Sequence, residues 1–208
     1  LGMDGSREML EHAEIHNLFV SKLESGWYRY HRLFAEYLQK RLRETQPERW
    51  QSLHLRAALW LEARARLERA VDHYLEIDDQ DEAARLMLDQ AHQLFVDGRW
   101  ATLMDWRHAL SEDVLIRHPL LTLFQSRAAE RLGRWTQAQA LVDLVEAGYR
   151  RTGNDEGLAY ALLHRCQVWL RQGQAARAEA LAHEALLLIE AQDLPVAYEA
   201  YRILGKSA

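Results

Sequence analysis

Apolar residues recur along most of this chain at steps of three and four, the spacing that lines one face of an α-helix. Between Asp155 and Arg171 the stripe is Leu158, Leu162, Cys166 and Trp169. Between Gln174 and Glu190 it is Ala178, Leu181, Ala182, Ala185, Leu188 and Ile189. Trp135, Ala138, Leu141, Val142, Val145 and Tyr149 form a third stripe, and Leu120, Phe124, Ala128 and Leu132 a fourth, bounded by Pro119 and Gly133. Pro47, Pro119, Pro195, Gly98, Gly133, Gly153 and Gly173 fall between such segments. Proline does not continue a helix from within, and glycine accepts the left-handed conformation that ends one, so both read as helix punctuation. Each pair of stripes is therefore helix, glycine turn, helix, and turns this short force antiparallel neighbours.

The helical pairs share a frame. "LGRWTQAQAL" (Leu132–Leu141) and "QGQAARAEAL" (Gln172–Leu181) both place a glycine five residues before an alanine, 40 positions apart. A small side chain at Ala138 and Ala178 suits a close helix crossing, and the glycine suits the turn. Upstream, Ala70 holds the small slot with Ala65 in place of the glycine, and Gly98 precedes Leu103. The slots at 70, 103, 138 and 178 are 33, 35 and 40 residues apart. That drifting period is the signature of a tetratricopeptide-like, antiparallel helical-hairpin solenoid.

The first 45 residues follow another pattern. "NLFVSKLESGWYRYH" (Asn17–His31) reads as two short strands around Glu24-Ser25-Gly26, since Leu18, Val20, Trp27 and Tyr28 are aromatic or branched. "REMLEHAEI" before it and "RLFAEYLQKRLRE" after it are helical. Helix, two-stranded wing, helix is the end of a winged-helix module. The expected fold is thus all-α with a short N-terminal β-hairpin: residues 1–45 as the C-terminal part of a winged helix, and 46–208 as helical repeats. The module's earlier helices are expected before Leu1. Pro195–Leu204 is expected to open a further hairpin, making the chain a piece of a longer protein.

Composition narrows the function. Charged residues are 27% and hydrophobic ones 49% of 208, an ordinary globular balance. No apolar run approaches the roughly 20 residues of a membrane span. The net charge is −5, and arginines alternate with Asp and Glu instead of forming a basic block, which argues against a nucleic-acid footprint on this stretch. Cys166 is the single cysteine, so there is no internal disulfide, which fits a reducing, cytoplasmic setting.

Three blocks, "NLFVSKLESGWYRYHRLFAEYLQKRL", "LHLRAALWLEARARLERAVDHYLEIDDQDEAARLM" and "HPLLTLFQSRAAERLGRWTQAQAL", resemble the large ATP-binding LuxR-type transcription regulators of the MalT-like group. The resemblance covers nearly the whole chain. It implies a STAND-type ATPase before this segment, then a winged helix and a helical-repeat sensor, and a LuxR-type helix-turn-helix after it. No G-x-x-x-x-G-K-[ST] loop occurs here, so ATP belongs to the expected N-terminal domain, no cofactor to this segment, and DNA only to the expected C-terminal domain. What the resemblance implies for this segment is the sensor arm, which binds a small-molecule inducer or a regulatory protein and controls self-association. The alternative is a scaffold for a peptide or protein partner with no small-molecule sensing.

The repeat frame selects the candidate site. Solenoids bind on the side lined by the first helix of each hairpin. Aligning the hairpins on the small slot puts His92, Arg127, Glu130, Arg131, Tyr160, Gln167 and Arg171 on that side, with Arg127, Arg131 and Arg171 able to clamp a carboxylate or phosphate. Elsewhere, His12 and His16 lie one helical turn apart near Glu14, but no third metal ligand is evident. His31, His54 and His73 lack a nucleophile to serve and suit packing at hairpin junctions. Cys166 sits on an apolar stripe as a core thiol. Most of the seven tryptophans suit packing. No catalytic set assembles, so the segment reads as non-enzymatic.

Overall fold

The glycine turns lie where the periodicity puts them. The computed structural model describes residues 5–16, 18–23, 28–191, 201 and 204–205. In it Gly98, Gly133, Gly153 and Gly173 all take a left-handed φ of 65–75°. The next residue's N–H then reaches back five residues: Arg99 to Leu94, Arg134 to Ala129, Asn154 to Tyr149 and Gln174 to Trp169, at 2.8–3.1 Å. This closes the helix end by satisfying an orphan carbonyl. Ala65 adopts the same left-handed turn at φ 54°, with Arg66 N–H on Leu61 O at 3.0 Å. A left-handed alanine costs roughly 1–2 kcal/mol, and glycine gives back about 0.5–1 in chain entropy. Ala65→Gly is therefore expected to stabilise the first unit by about 0.5 kcal/mol, read from a urea melt.

The described residues form eleven helices and one two-stranded antiparallel sheet. Two compact units divide between Asp78 and Asp79. The first holds α1 (Ser6–Ile15), β1 (Val20–Lys22), β2 (Tyr28–Tyr30), α2 (Arg32–Thr45), α3 (Pro47–Glu62) and α4 (Leu67–Glu76). The strands pair Val20 with Tyr30 and Lys22 with Tyr28. The turn Glu24–Gly26 and Trp27 lie outside the described residues, as does most of Pro195–Leu204. Neither α1 nor α2 has a fully buried residue, whereas α3 and α4 bury Trp50, Ala58, Leu61, Ala70, Val71 and Tyr74 against one another. Ala70, the small slot, is fully buried.

The second unit holds α5 (Gln80–Val96), α6 (Trp100–Ala109), α7 (Glu112–Arg117), α8 (Pro119–Arg131), α9 (Trp135–Thr152), α10 (Asp155–Arg171) and α11 (Ala175–Ala191). Its most extensive faces are α8 on α9 and α10 on α11, and α9 packs also on α10. Leu103, Ala138 and Ala178 are all fully buried, so the slot is filled in this unit as in the first. Ala178 packs with Leu162, Cys166, Ala182, Ala185 and Ile189 in the α10–α11 core. The α8 stripe departs from expectation. Leu120 is 45% and Leu132 37% exposed, whereas Leu121 and Leu123 are buried. Helices α5, α6, α7, α9 and α10 all pack on α8, so burial runs nearly all round it and no single stripe marks its core side.

A polar clip ties α5 to the α7–α8 junction. Asp81 accepts from Arg117 Nε and Nη2 at 3.0 and 2.8 Å and meets His118 Nε2 at 2.9 Å, while Ser111 N–H donates to Gln80 Oε1 at 2.8 Å. The Arg117 bonds, then that to His118, hold the Asp81 carboxyl below its usual range. Because the clip is exposed, Asp81→Ala is expected to cost about 1 kcal/mol at low salt and less in high salt, read by urea denaturation at two ionic strengths.

Candidate functional site

Residues Tyr160, His164, Gln167 and Arg171 succeed one another at steps of four, three and four, so they share one face of α10. On α8, Phe124, Arg127 and Arg131 share another face by the same rule. The α8 face meets α5. The Arg127 guanidinium lies 5.7 Å and that of Arg131 5.9 Å from the centre of the Phe95 ring, within cation–π reach. Phe124 stands 6.2 Å from Phe95 and edge-on to His92 at 6.3 Å. Arg127, Arg131 and His92 are exposed, with the aromatic pair half-buried behind them. The result is a basic surface with an aromatic backing.

Beside it lies a buried polar group shared by α8, α9 and α10. The Ser126 hydroxyl donates to Ala138 O at 2.9 Å and meets His164 Nε2 at 3.0 Å. Since a serine has one proton, His164 Nε2–H must be the donor to Ser126 Oγ. That tautomer leaves His164 Nδ1 as a bare acceptor, buried and without a hydrogen bond, 3.8 Å from Glu130 Oε2. Glu130 is 6% exposed and pairs through Oε1 with Arg171 Nε at 2.7 Å. Burial, followed by the charges of Arg127, Arg171 and Arg165, pushes the His164 imidazole down to about 3, so it is neutral at pH 7. The buried atoms left without a hydrogen bond here are His164 Nδ1 and Glu130 Oε1, the latter held to Arg171 by charge rather than by a well-formed hydrogen bond. Gln125, fully buried one residue before Ser126, has neither end of its amide bonded.

The chosen residues therefore fall into two adjoining sets. His92, Arg127 and Arg131 gather around Phe95 and Phe124. Glu130 and Arg171 form an ion pair. Tyr160 is exposed and Gln167 half-buried on the α10 face that carries His164. Arg171 is bound to Glu130, so the arginines are not three free cations. The sequence reading missed Phe95, Ser126 and His164. His164 was visible in principle, because it stands four residues after Tyr160 on the same stripe.

The other candidates are placed as follows. His54 and His73 meet through their Nδ1 atoms at 3.1 Å across α3 and α4, with the Trp50 ring 4.1 Å from His54 and tilted at 38°. Desolvation lowers both imidazoles, and for His54 the neighbouring His73 adds to it. His31 is exposed just before α2, and the His12 and His16 rings lie 4.2 Å apart, tilted at 54°. Among the described residues no cluster of three or more His, Cys, Asp or Glu is arranged to hold a metal. Burial pushes the Cys166 thiol up to about 12, which keeps it protonated and unreactive. Trp50 is buried, while Trp60 is partly exposed beneath the Arg64 guanidinium at 3.9 Å. Among the described residues no helix is long and apolar enough to cross a membrane.

Comparison with known proteins points one way. Residues 1–50 match the family model of the MalT winged helix domain. The chain is 27% identical to the HTH-type transcriptional regulator MalT of Vibrio parahaemolyticus over 186 residues, 86% of this chain and 20% of that protein. It is 30% identical to the Vibrio cholerae protein of that name over 193 residues, 89% of this chain and 21% of the relative. Against the Yersinia pestis one it is 29% identical over 212 aligned positions, 99% of this chain and 23% of the relative. The chain thus spans about a fifth of the length of these curated relatives. No solved structure matches it.

Proposed function

We propose, on the premise that this chain is a MalT-like regulator segment, that its second unit is the sensor arm of an ATP-dependent, LuxR-type transcriptional activator. The arm is tetratricopeptide-like and cytoplasmic, and it binds an inducer on the face shared by α8 and α10. It catalyses nothing itself: Ser126 and His164 are buried and spend their contact on each other. The proposal places ATP and DNA binding elsewhere in the whole regulator.

The single observation that carries this reading is the buried acceptor His164 Nδ1, without a hydrogen bond and 3.8 Å from the Glu130 carboxylate, beside the Arg127–Arg131–Phe95 surface. A buried acceptor without a donor is costly, about 1–3 kcal/mol. A ligand supplying a hydroxyl or N–H there, and an anionic or flat group to the arginines, would remove that cost. It would favour the arrangement of the arm that presents this acceptor, and it can shift that equilibrium only by its differential affinity for the two arrangements. The winged helix of the first unit would pass the change on, and self-association would follow.

The test is a thermal-shift screen of the 208-residue chain against sugars and aromatic acids. A ligand at a hundredfold excess over its dissociation constant adds about 2.7 kcal/mol to the folded state. The expected result is a hit whose affinity falls at least tenfold in the Arg127→Ala/Arg131→Ala variant, with the melting temperature of the free protein nearly unchanged. Arg171→Ala is the poorer probe, because it leaves Glu130 unpaired. A silent screen, with the variant equally silent, would sink the sensor reading. Capture of a peptide that competes with none of the small molecules would replace it with the scaffold.

A further inference from the structure

The second unit also encloses a cavity of about 170 Å³ between α6, α7 and α9. Its floor is apolar: Met104 and Leu141 are buried and Leu144 half-buried. Its rim carries Arg107 and His108 from the last turn of α6 and Glu112 from the start of α7. Arg107 is half-buried, and His108 and Glu112 are exposed. Among the described residues, none of these three side chains makes a hydrogen bond or an ion pair, and Arg107 and Glu112 do not pair with each other across the mouth.

Other opposite charges in this unit do pair, as Arg85 does with Glu82 and Arg165 with Asp143 and Glu146. Here a cation and an anion stand over one apolar floor and remain apart. The cavity is smaller than the roughly 300–1,000 Å³ of drug-sized pockets. It is several times the roughly 30 Å³ that one water occupies. An occupant that fits is small, carries one group of each sign, and has a branched apolar body.

We propose that the α6–α7–α9 cavity binds an aliphatic α-amino acid. The carboxylate faces the Arg107 guanidinium, which can take it bidentately. The ammonium faces Glu112, and the side chain rests on Met104, Leu141 and Leu144. Leucine is the natural probe, since its branched side chain matches this floor of Met and Leu. The site is separate from the face proposed for the inducer and depends on none of its residues.

The experiment is isothermal titration of the 208-residue chain with L-leucine, isocaproate (leucine without its amine) and isoamylamine (leucine without its carboxylate). Saturable leucine binding is expected, with each analogue at least tenfold weaker. Arg107→Gln is expected to weaken leucine at least tenfold and leave isoamylamine unchanged. Glu112→Gln is expected to weaken leucine at least tenfold and leave isocaproate unchanged. Both substitutions sit at the rim, and unchanged far-UV circular dichroism checks that each variant folds. Two results overturn the proposal: no leucine heat into the millimolar range, or isocaproate binding as tightly as leucine, which would leave Glu112 without a role. The Arg127→Ala/Arg131→Ala variant should bind leucine normally, so failure of this site and failure of the inducer face are read separately.

Discussion

Replacing Gly148 with alanine is expected to destabilise the second unit by about 3 kcal/mol, the upper end of ordinary overpacking. The sign is the informative part. In an open helix interior, glycine to alanine gains roughly 0.5–1 kcal/mol, because alanine has less chain entropy to lose. Gly148 lies inside α9 where that helix runs against the α7–α8 junction. A methyl group there meets the backbone carbonyl oxygen of Ile116 well inside van der Waals distance, and Pro119 Cβ at 3.0 Å. The Ile116 carbonyl belongs to the backbone of α7 and cannot swing aside as a side-chain tip can. Relief therefore means moving α9 away from α8, the helix that carries Ser126, Arg127 and Glu130. A urea melt followed by circular dichroism measures the loss. Gly157→Ala belongs beside it, since its methyl would meet the buried Tyr149 ring. A neutral or stabilising Gly148→Ala would mean that α9 is not seated on the Ile116 carbonyl.

The features that the sequence states plainly are those with a local cause. The glycine turns were legible because a left-handed φ at Gly133 or Gly173 is a property of one residue. The Ala138 and Ala178 slots were legible because a tight crossing tolerates few side chains, and both are fully buried. The α10 boundaries, Asp155 and Arg171, match their stripe for a related reason: Asn154 caps Gly157 N–H at 2.7 Å and Gly173 ends the turn. The short helix α7 left no stripe, because six residues hold fewer than two turns. Nor was the core side of α8 readable, since five helices pack on it and Thr122, Gln125, Ser126 and Glu130 are buried among its leucines. A polar residue at a buried position looks, in sequence, like one on the surface. The pairing of Ser126 with His164 spans 38 residues and depends on how one hairpin sits on the next, which repeat spacing alone does not fix. The same limit explains Arg171. The repeat alignment grouped Arg171 with Glu130 as candidates, but it could not show that the two pair across neighbouring hairpins.

Acid should unfold the second unit earlier than its carboxylates alone require, and His164 is the reason. The imidazole has an ordinary value of 6.5 and a folded value of about 3. Between those limits the unfolded chain binds a proton that the folded chain refuses, so stability rises with pH there and is lost as pH falls. The loss begins near pH 6.5, grows towards 1.36 kcal/mol per pH unit, and stops near pH 3. At pH 4.5 it amounts to about 2–3 kcal/mol. Every charged group around the ring except one supports this direction: Arg127, Arg165 and Arg171 all oppose a second positive charge. The exception is Glu130, whose Oε2 lies 3.8 Å from Nδ1. If the ring turned slightly and took a proton between Nδ1 and Glu130, the pair would become a buried ion pair and the acid loss would vanish. His164→Gln separates the two outcomes, because glutamine keeps a donor for Ser126 Oγ and cannot titrate. With neutral His164, the variant closes on the wild type by about 2–3 kcal/mol between pH 7 and pH 4.5 in paired urea melts. With a protonated pair the gap between them does not narrow, and Nδ1 beside Glu130 would then carry a proton of its own and have no call for a ligand's. The acid titration thus bears on the inducer site as directly as on stability.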